Sequence, residues 1–123
     1  HMASAFPHPP PVEHAPRERT DVVVGPDESA DAIEVLSSST AREVLAVLRE
    51  RPRATSGVAE DVGTSVQNVA YHLSRLREAG LIASVGTWYS EKGREMTVYA
   101  LAADRLVVRF GDGEDRGTRS ADD

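Results

Sequence analysis

The chain has no cysteine. Disulfides are therefore impossible, thiol redox sensing is removed, and iron-sulfur clusters and thiolate metal sites lose their ligands. Lysine is nearly absent, one residue against thirteen arginines and twenty acidic side chains. Aromatics make up only 5% of the residues. No apolar run approaches the ~20 residues that a membrane-spanning helix requires. There is no glycine-rich phosphate loop and no Ser-His-Asp spacing in the periodic part of the chain, so no enzymatic function is expected. No cofactor or small-molecule effector is identifiable.

What is present centres on Thr64 to Ile82, TSVQNVAYHLSRLREAGLI. Wound at about 100° per residue, this segment places Val69, Leu73 and Leu76 on one stripe, with His72 and Ala79 at its edge. Gln67, Tyr71, Ser74 and Arg75 gather on the other side. Long hydrogen-bonding groups of that kind suit base edges and phosphates better than the Glu/Lys alternation of a merely solvated face. Gly80 supplies a left-handed cap closed by Leu81. At the start, Thr64 with Gln67 fits a capping box and Ser65 is an equally good cap.

Two shorter helical signals lie upstream. Thr40 with Glu43 reads as a capping box, opening a helix whose stripe is Ala41, Val44, Leu45, Val47 and Leu48 and which Pro52 stops. Thr55 or Ser56 caps a short helix through Val62, and Gly63 makes the turn into the next one. A still earlier helix is expected over Asp27 to Leu36, with Ala30, Ile33 and Leu36 inward. Downstream the period becomes alternating. Ile82 to Tyr89 and Glu95 to Leu101 read as the strands of a hairpin. A two-residue turn at Lys92-Gly93 would pair Tyr89 with Met96, Thr87 with Val98 and Val85 with Ala100 on the core face, leaving Trp88, Thr97 and Tyr99 on the other. Leu106 to Phe110 is a candidate third strand or dimer contact.

The net charge of minus six divides unevenly. Residues 40 to 110 carry ten basic and eight acidic side chains, whereas residues 1 to 39 and 111 to 123 carry excesses of five and three acidic ones. Acidic tails mask a mildly basic core, and its footprint is Arg42, Arg49, Arg51, Arg53, Arg75, Arg77, Lys92 and Arg94. His1-Met2 reads as a cloning remnant. Residues 1–26, rich in proline, and residues 111–123, rich in Gly, Asp and Arg, are expected to be disordered.

Ser65, Val69, His72-Leu73, Leu76 and Ala79-Gly80-Leu81, in a run from about residue 35 to 103, resemble the recognition segment of the ArsR-like winged helix-turn-helix regulators. The order of elements matches as well. The resemblance implies an α+β fold, three to four helices plus a two- or three-stranded antiparallel wing, spanning residues 27–110. It implies double-stranded DNA as partner, a homodimer, a cytoplasmic setting, and a repressor acting by promoter occupancy. Metal sensing is not carried over, because the clustered thiolates it needs are missing. The Lys-poor, acid-rich composition and the segment GREMTVYALA resemble haloarchaeal relatives of this class, although high-GC bacteria also favour arginine.

The DNA-binding residues expected are Ser65, Val66, Gln67, Asn68, Tyr71, Ser74 and Arg75 on the helix, with Lys92 and Arg94 at the wing tip. Plainer readings stand beside these. His72 suits a packed core-edge histidine, and His8 and His14 among prolines fall short of a metal site. Trp88 and Tyr99 suit either stacking on a partner or a cross-strand contact. Arg49, Arg51 and Arg53 suit either phosphate contact or a favourable helix C-terminus. A protein-protein adaptor is the alternative function, and it would show an exposed apolar patch around Trp88, Tyr99 and Phe110.

Overall fold

The structure, a computed structural model, describes residues 14–24 and 31–110. The proline-rich stretch before residue 14 and the acidic stretch 111–123 lie outside the described residues. In chain order the elements are β1 (Thr20–Val24), α1 (Asp31–Leu36), α2 (Ser39–Glu50), β2 (Arg53–Ala54), α3 (Thr55–Val62), α4 (Val66–Glu78), β3 (Ile82–Tyr89), β4 (Glu95–Leu101) and β5 (Leu106–Phe110).

The helical core forms where the sequence periodicity places it. Ala41, Val44 and Leu48 of α2, Val58 and Ala59 of α3, and Val69, Leu73 and Leu76 of α4 are buried and share one cluster with Leu81 and Ile82. Helix α1 contributes Ala32 and Val35 to that cluster. Ile33, expected inward, is instead 40% exposed. Residues 25–30, with the expected helix start at Asp27 and the expected inward Ala30, lie outside the described residues; within Asp31–Leu36 the buried i, i+3 pair is Ala32 and Val35.

Two helix starts differ from expectation. Helix α2 is capped by Ser38, whose Oγ accepts from the Ala41 backbone N–H at 3.2 Å, not by Thr40. The earlier serine lets Thr40 enter the first turn, because Ser38 already satisfies an orphan donor there. Helix α3 has Ala54 at its cap and no side-chain cap hydrogen bond. Neither Thr55 nor Ser56 takes that role, because Arg53–Ala54 is drawn into an extended pairing with Tyr99 and Val98 of β4 and the helix starts directly from it.

Strands β2, β4 and β3 form one antiparallel sheet in that order. The hairpin register is shifted from expectation: Tyr89 faces Glu95, Trp88 faces Met96 and Thr87 faces Thr97. Its turn centres on Glu91 and Lys92, with the Gly93 N–H donating to the Ser90 carbonyl at 2.8 Å and Gly93 at φ 79°. A two-residue turn at Lys92-Gly93 would force a left-handed lysine, and among the described residues no non-glycine residue has positive φ. A three-residue loop confines that conformation to the glycine. The register shifts again between Ser84 and Gly86, which absorbs the change before Ala83 meets Ala100. Consequently Tyr89 and Thr87 are exposed, while Val98 and Ala100 stay buried. Trp88 shares the side of Met96 and does not lie across from Tyr99, which faces Ser84.

The segment 14–24, expected to be disordered, runs beside residues 101–110. His14 Nε2 lies 2.6 Å from the Leu101 carbonyl, the Arg17 N–H donates to the Ala102 carbonyl at 3.0 Å, and β1 pairs in parallel with β5. The β-branched run of β1 satisfies its backbone on a strand far away in sequence, a pairing that local periodicity does not reveal. Strand β5 is therefore a partner of β1 in a separate two-stranded sheet and not a third strand of the hairpin.

Candidate nucleic-acid interface

Helix α4 presents the candidate surface. Ser65 is its cap, and its Oγ accepts from the Asn68 backbone N–H at 3.0 Å. Thr64 takes a second role, its Oγ1 accepting from Asn68 Nδ2 at 3.1 Å, so the Thr64–Gln67 capping box does not form and Gln67 stays exposed. At the other end the Leu81 N–H reaches the Leu76 carbonyl at 3.0 Å and the Gly80 N–H reaches the Arg77 carbonyl at 2.9 Å, with Gly80 at φ 79°. That pair of bonds is a Schellman cap. Both ends are thus fixed while the outward stripe stays in solvent.

On that stripe Val66 is 49% and Tyr71 55% exposed, and Gln67 and Ser74 are exposed with no side-chain hydrogen bond among the described residues. Asn68 is half-buried and spent on Thr64. Arg75 is engaged as well: Nη1 donates to Tyr71 Oη at 3.1 Å and Nη2 to Glu34 Oε1 of α1 at 3.2 Å, with the guanidinium 5.7 Å from the Tyr71 ring centroid. The Tyr71 hydrogen bond is the largest influence raising the Arg75 pKa above its ordinary value, and Glu34 adds to it. The charge on Arg75 is permanent in any case. His72 packs edge-on against Tyr71, ring centroids 5.2 Å apart, in keeping with a core-edge histidine.

Two flanks bound the stripe. On one, Glu34 and Val35 of α1 meet Arg75 and Glu78 around a small hollow. On the other, Ala70, Ser74 and Arg77 face Thr55 and Tyr99 across a groove, which brings Ser74 next to the sheet. Lys92 and Arg94 lie on the hairpin loop, both exposed, and neither enters an ion pair among the described residues. The Arg94 backbone is pinned by the Ser90 side chain at 3.0 Å, which fixes the loop and leaves the guanidinium outside it.

The expected basic footprint does not survive whole. Arg53 is 7% exposed and held by Glu50 at 3.0 Å and by Asp61. An arginine buried between two carboxylates fastens α2 to α3 and is withdrawn from any external anion. Sequence reasoning also missed Glu34 as the partner of Arg75. Forty-one residues separate the two, and no local pattern links them.

Helix α3, the turn at Gly63 and the exposed face of α4, followed by a two-stranded hairpin with a charged tip, settle the architecture. The fold is a winged helix-turn-helix. Residues 36–85 match the family model described as a helix-turn-helix domain. No curated protein matches the chain in sequence. Among solved structures, a crystal structure of a possible transcriptional regulatory protein (fragment 1–100) from Mycobacterium bovis is similar at 20% identity and a TM-score of 0.50, covering 60% of this chain and 73% of that one. The solution structure of a homodimeric winged helix-turn-helix DNA-binding domain from the same species, a possible ArsR-family transcriptional regulator, gives 19% identity and a TM-score of 0.51, covering 60% of this chain and 63% of that one. NolR from Sinorhizobium fredii gives 23% and 0.49, covering 61% and 69%. The two similarities to the Mycobacterium bovis structures bear on the fold alone. Among the described residues no helix is long and apolar enough to cross a membrane.

Proposed function

We propose that the protein is a sequence-specific transcriptional regulator that binds double-stranded DNA through α4 and the wing. The observation that carries this reading is the outward stripe of α4, where Gln67, Tyr71 and Ser74 stand exposed on a helix capped at both ends. In this reading the N-terminal half of α4 enters the major groove, with Val66, Gln67 and Tyr71 at base edges. Ser65, Asn68 and Ser74 lie at its margins, and Asn68 keeps the cap rigid. Arg75 takes a phosphate or a base farther along after exchanging its bond to Glu34 for one to DNA. Lys92 and Arg94 reach the adjacent backbone or minor groove.

A homodimer suits this chemistry, because two α4 helices related by a two-fold axis would read half-sites ~34 Å apart, and the similar domain from Mycobacterium bovis is homodimeric. The same proposal includes repression by promoter occupancy in the cytoplasm. The acidic, lysine-poor composition supports a high-salt setting, in which phosphate contacts are weakened and base contacts must carry more of the affinity.

The test is fluorescence anisotropy on a labelled duplex from the region upstream of the gene and on a scrambled control, across a salt series. Preference for the upstream duplex that persists as salt rises is expected. Arg94→Ala should weaken both duplexes alike and reduce the salt slope by about one. Weak, equal binding to both duplexes would favour the adaptor reading, for which Phe110 is 85% exposed while Trp88 and Tyr99, the other residues of the expected patch, are half-buried.

A further inference from the structure

Helix α2 has two faces that do different things. Ala41, Val44 and Leu48 enter the core. Arg42, Leu45, Ala46 and Arg49, at i, i+3, i+4 and i+7, form a neighbouring stripe that lines a cavity of about 290 Å³. The opposite wall comes from the paired strands β1 and β5, with Thr20 at the start of β1, Leu106 at the start of β5 and Arg105 just before it. Leu81 and Leu101 line it too. Neither Arg42 nor Arg49 is on α4 or the wing, so two members of the expected DNA footprint converge here instead.

We propose that this cavity is a binding site for a small organic anion, a carboxylate carried on a compact apolar body. Three features favour that class. The volume, about 290 Å³, is near the low end of the ~300–1,000 Å³ typical of ligand pockets, which fits a compact molecule. The wall between the arginines is aliphatic, with Leu45, Leu81, Leu101 and Leu106 offering a surface for the apolar part. The ionisable lining is three guanidinium groups, Arg42, Arg49 and Arg105, against the single carboxylate of Asp104.

The cations differ in how far they are committed. Arg42 donates to the Leu36 carbonyl at 2.7 Å and Arg105 pairs with Glu18 at 3.3 Å. Arg49 has no ion pair among the described residues, and it keeps its whole planar donor fork for a carboxylate. Thr20 itself lines the cavity, but its hydroxyl oxygen is closed off from it and has no hydrogen-bond partner among the described residues. Leu81 also closes the cap of α4, so an occupant would touch a residue that fixes the candidate recognition helix.

The experiment is amide NMR titration of the full chain, without DNA, using benzoate and octanoate, with benzylamine, octylamine and acetate as controls. Shifts confined to β1, the α2 stripe and the start of β5 are expected for at least one of the two acids and for none of the controls. Arg49→Gln should weaken that acid by about tenfold. Ala46→Phe, which fills the cavity from an exposed helix position, should abolish the localised shifts while the rest of the spectrum stays native. The proposal is overturned by the absence of localised shifts with either acid at millimolar concentration. Equal response to the amines, or persistence of the response in Ala46→Phe, would overturn it too. Because no DNA is present, its failure leaves the regulator reading standing, and the reverse also holds.

Discussion

The outward face of α4 and the cavity face of α2 both carry arginines flanked by uncharged residues, yet they have opposite surroundings. On α4, Gln67, Tyr71 and Ser74 stand in solvent, and the one arginine of the stripe is tied to Tyr71 and Glu34. On α2, Arg42 and Arg49 bracket Leu45 and Ala46 at the edge of an open, largely aliphatic cavity that Thr20 of β1 and Leu106 of β5 help to line. Basic residues in a chain of this type are therefore not a single class. Arg53 is a buried fastener, Arg42 and Arg49 line a cavity, Arg75 is engaged, and Lys92 and Arg94 project from the wing loop. Affinity for a polyanion should follow the last three residues and be nearly blind to the first.

The comparison can be broken most forcefully on α4 itself, by setting its inner face against its outer one. Leu73 is 2% exposed at the centre of the core. Leu73→Ala should lower unfolding stability by about 3 kcal/mol, whereas Tyr71→Ala on the outer face should change it by less than ~0.5 kcal/mol; urea titration followed by circular dichroism decides both. A smaller effect is expected at the cap. Ser65→Ala removes the acceptor of the Asn68 N–H and should cost about 1 kcal/mol, read in the same titration, while Thr40→Ala should cost little because Ser38 holds the cap of α2.

The smallest effect concerns Glu34. Surface ion pairs contribute ~0–1 kcal/mol, and Arg75 must leave Glu34 to take a phosphate, so Glu34→Gln should raise duplex affinity by only a few-fold. That gain should disappear in an Arg75→Gln background. A gain of equal size in both backgrounds would mean that Glu34 acts only through its charge near DNA and does not hold Arg75 back.

Much of the fold was legible because it rests on local rules. The stripe of Val69, Leu73 and Leu76, the glycine caps at Gly63 and Gly80, and the change to strand periodicity after Ile82 are all encoded within a few residues of where they act. The misread features are nonlocal or depend on competition. Pairing of β1 with β5 joins segments more than eighty residues apart, and the β2 pairing that displaced the expected cap of α3 depends on β4, which follows it by over forty residues. At the hairpin, a lysine and a glycine compete for the left-handed position, and only the glycine takes it without strain, which moves every pair near the tip by one. The candidate interface was legible in its residue types. The bond from Arg75 to Glu34 and the burial of Arg53 were not, because charge alone does not say which partner a guanidinium will meet.

The most direct test of the central claim, that the exposed stripe of α4 reads base sequence, is selection of bound duplexes from a randomised pool by the wild-type protein and by Gln67→Ala in parallel. Recovery of a defined motif by the wild type, with preference at one or two positions relaxed by roughly 1 to 3 kcal/mol in Gln67→Ala and the rest of the motif intact, is the predicted result. Recovery of an identical motif by both proteins, or of no motif by the wild type, would contradict it.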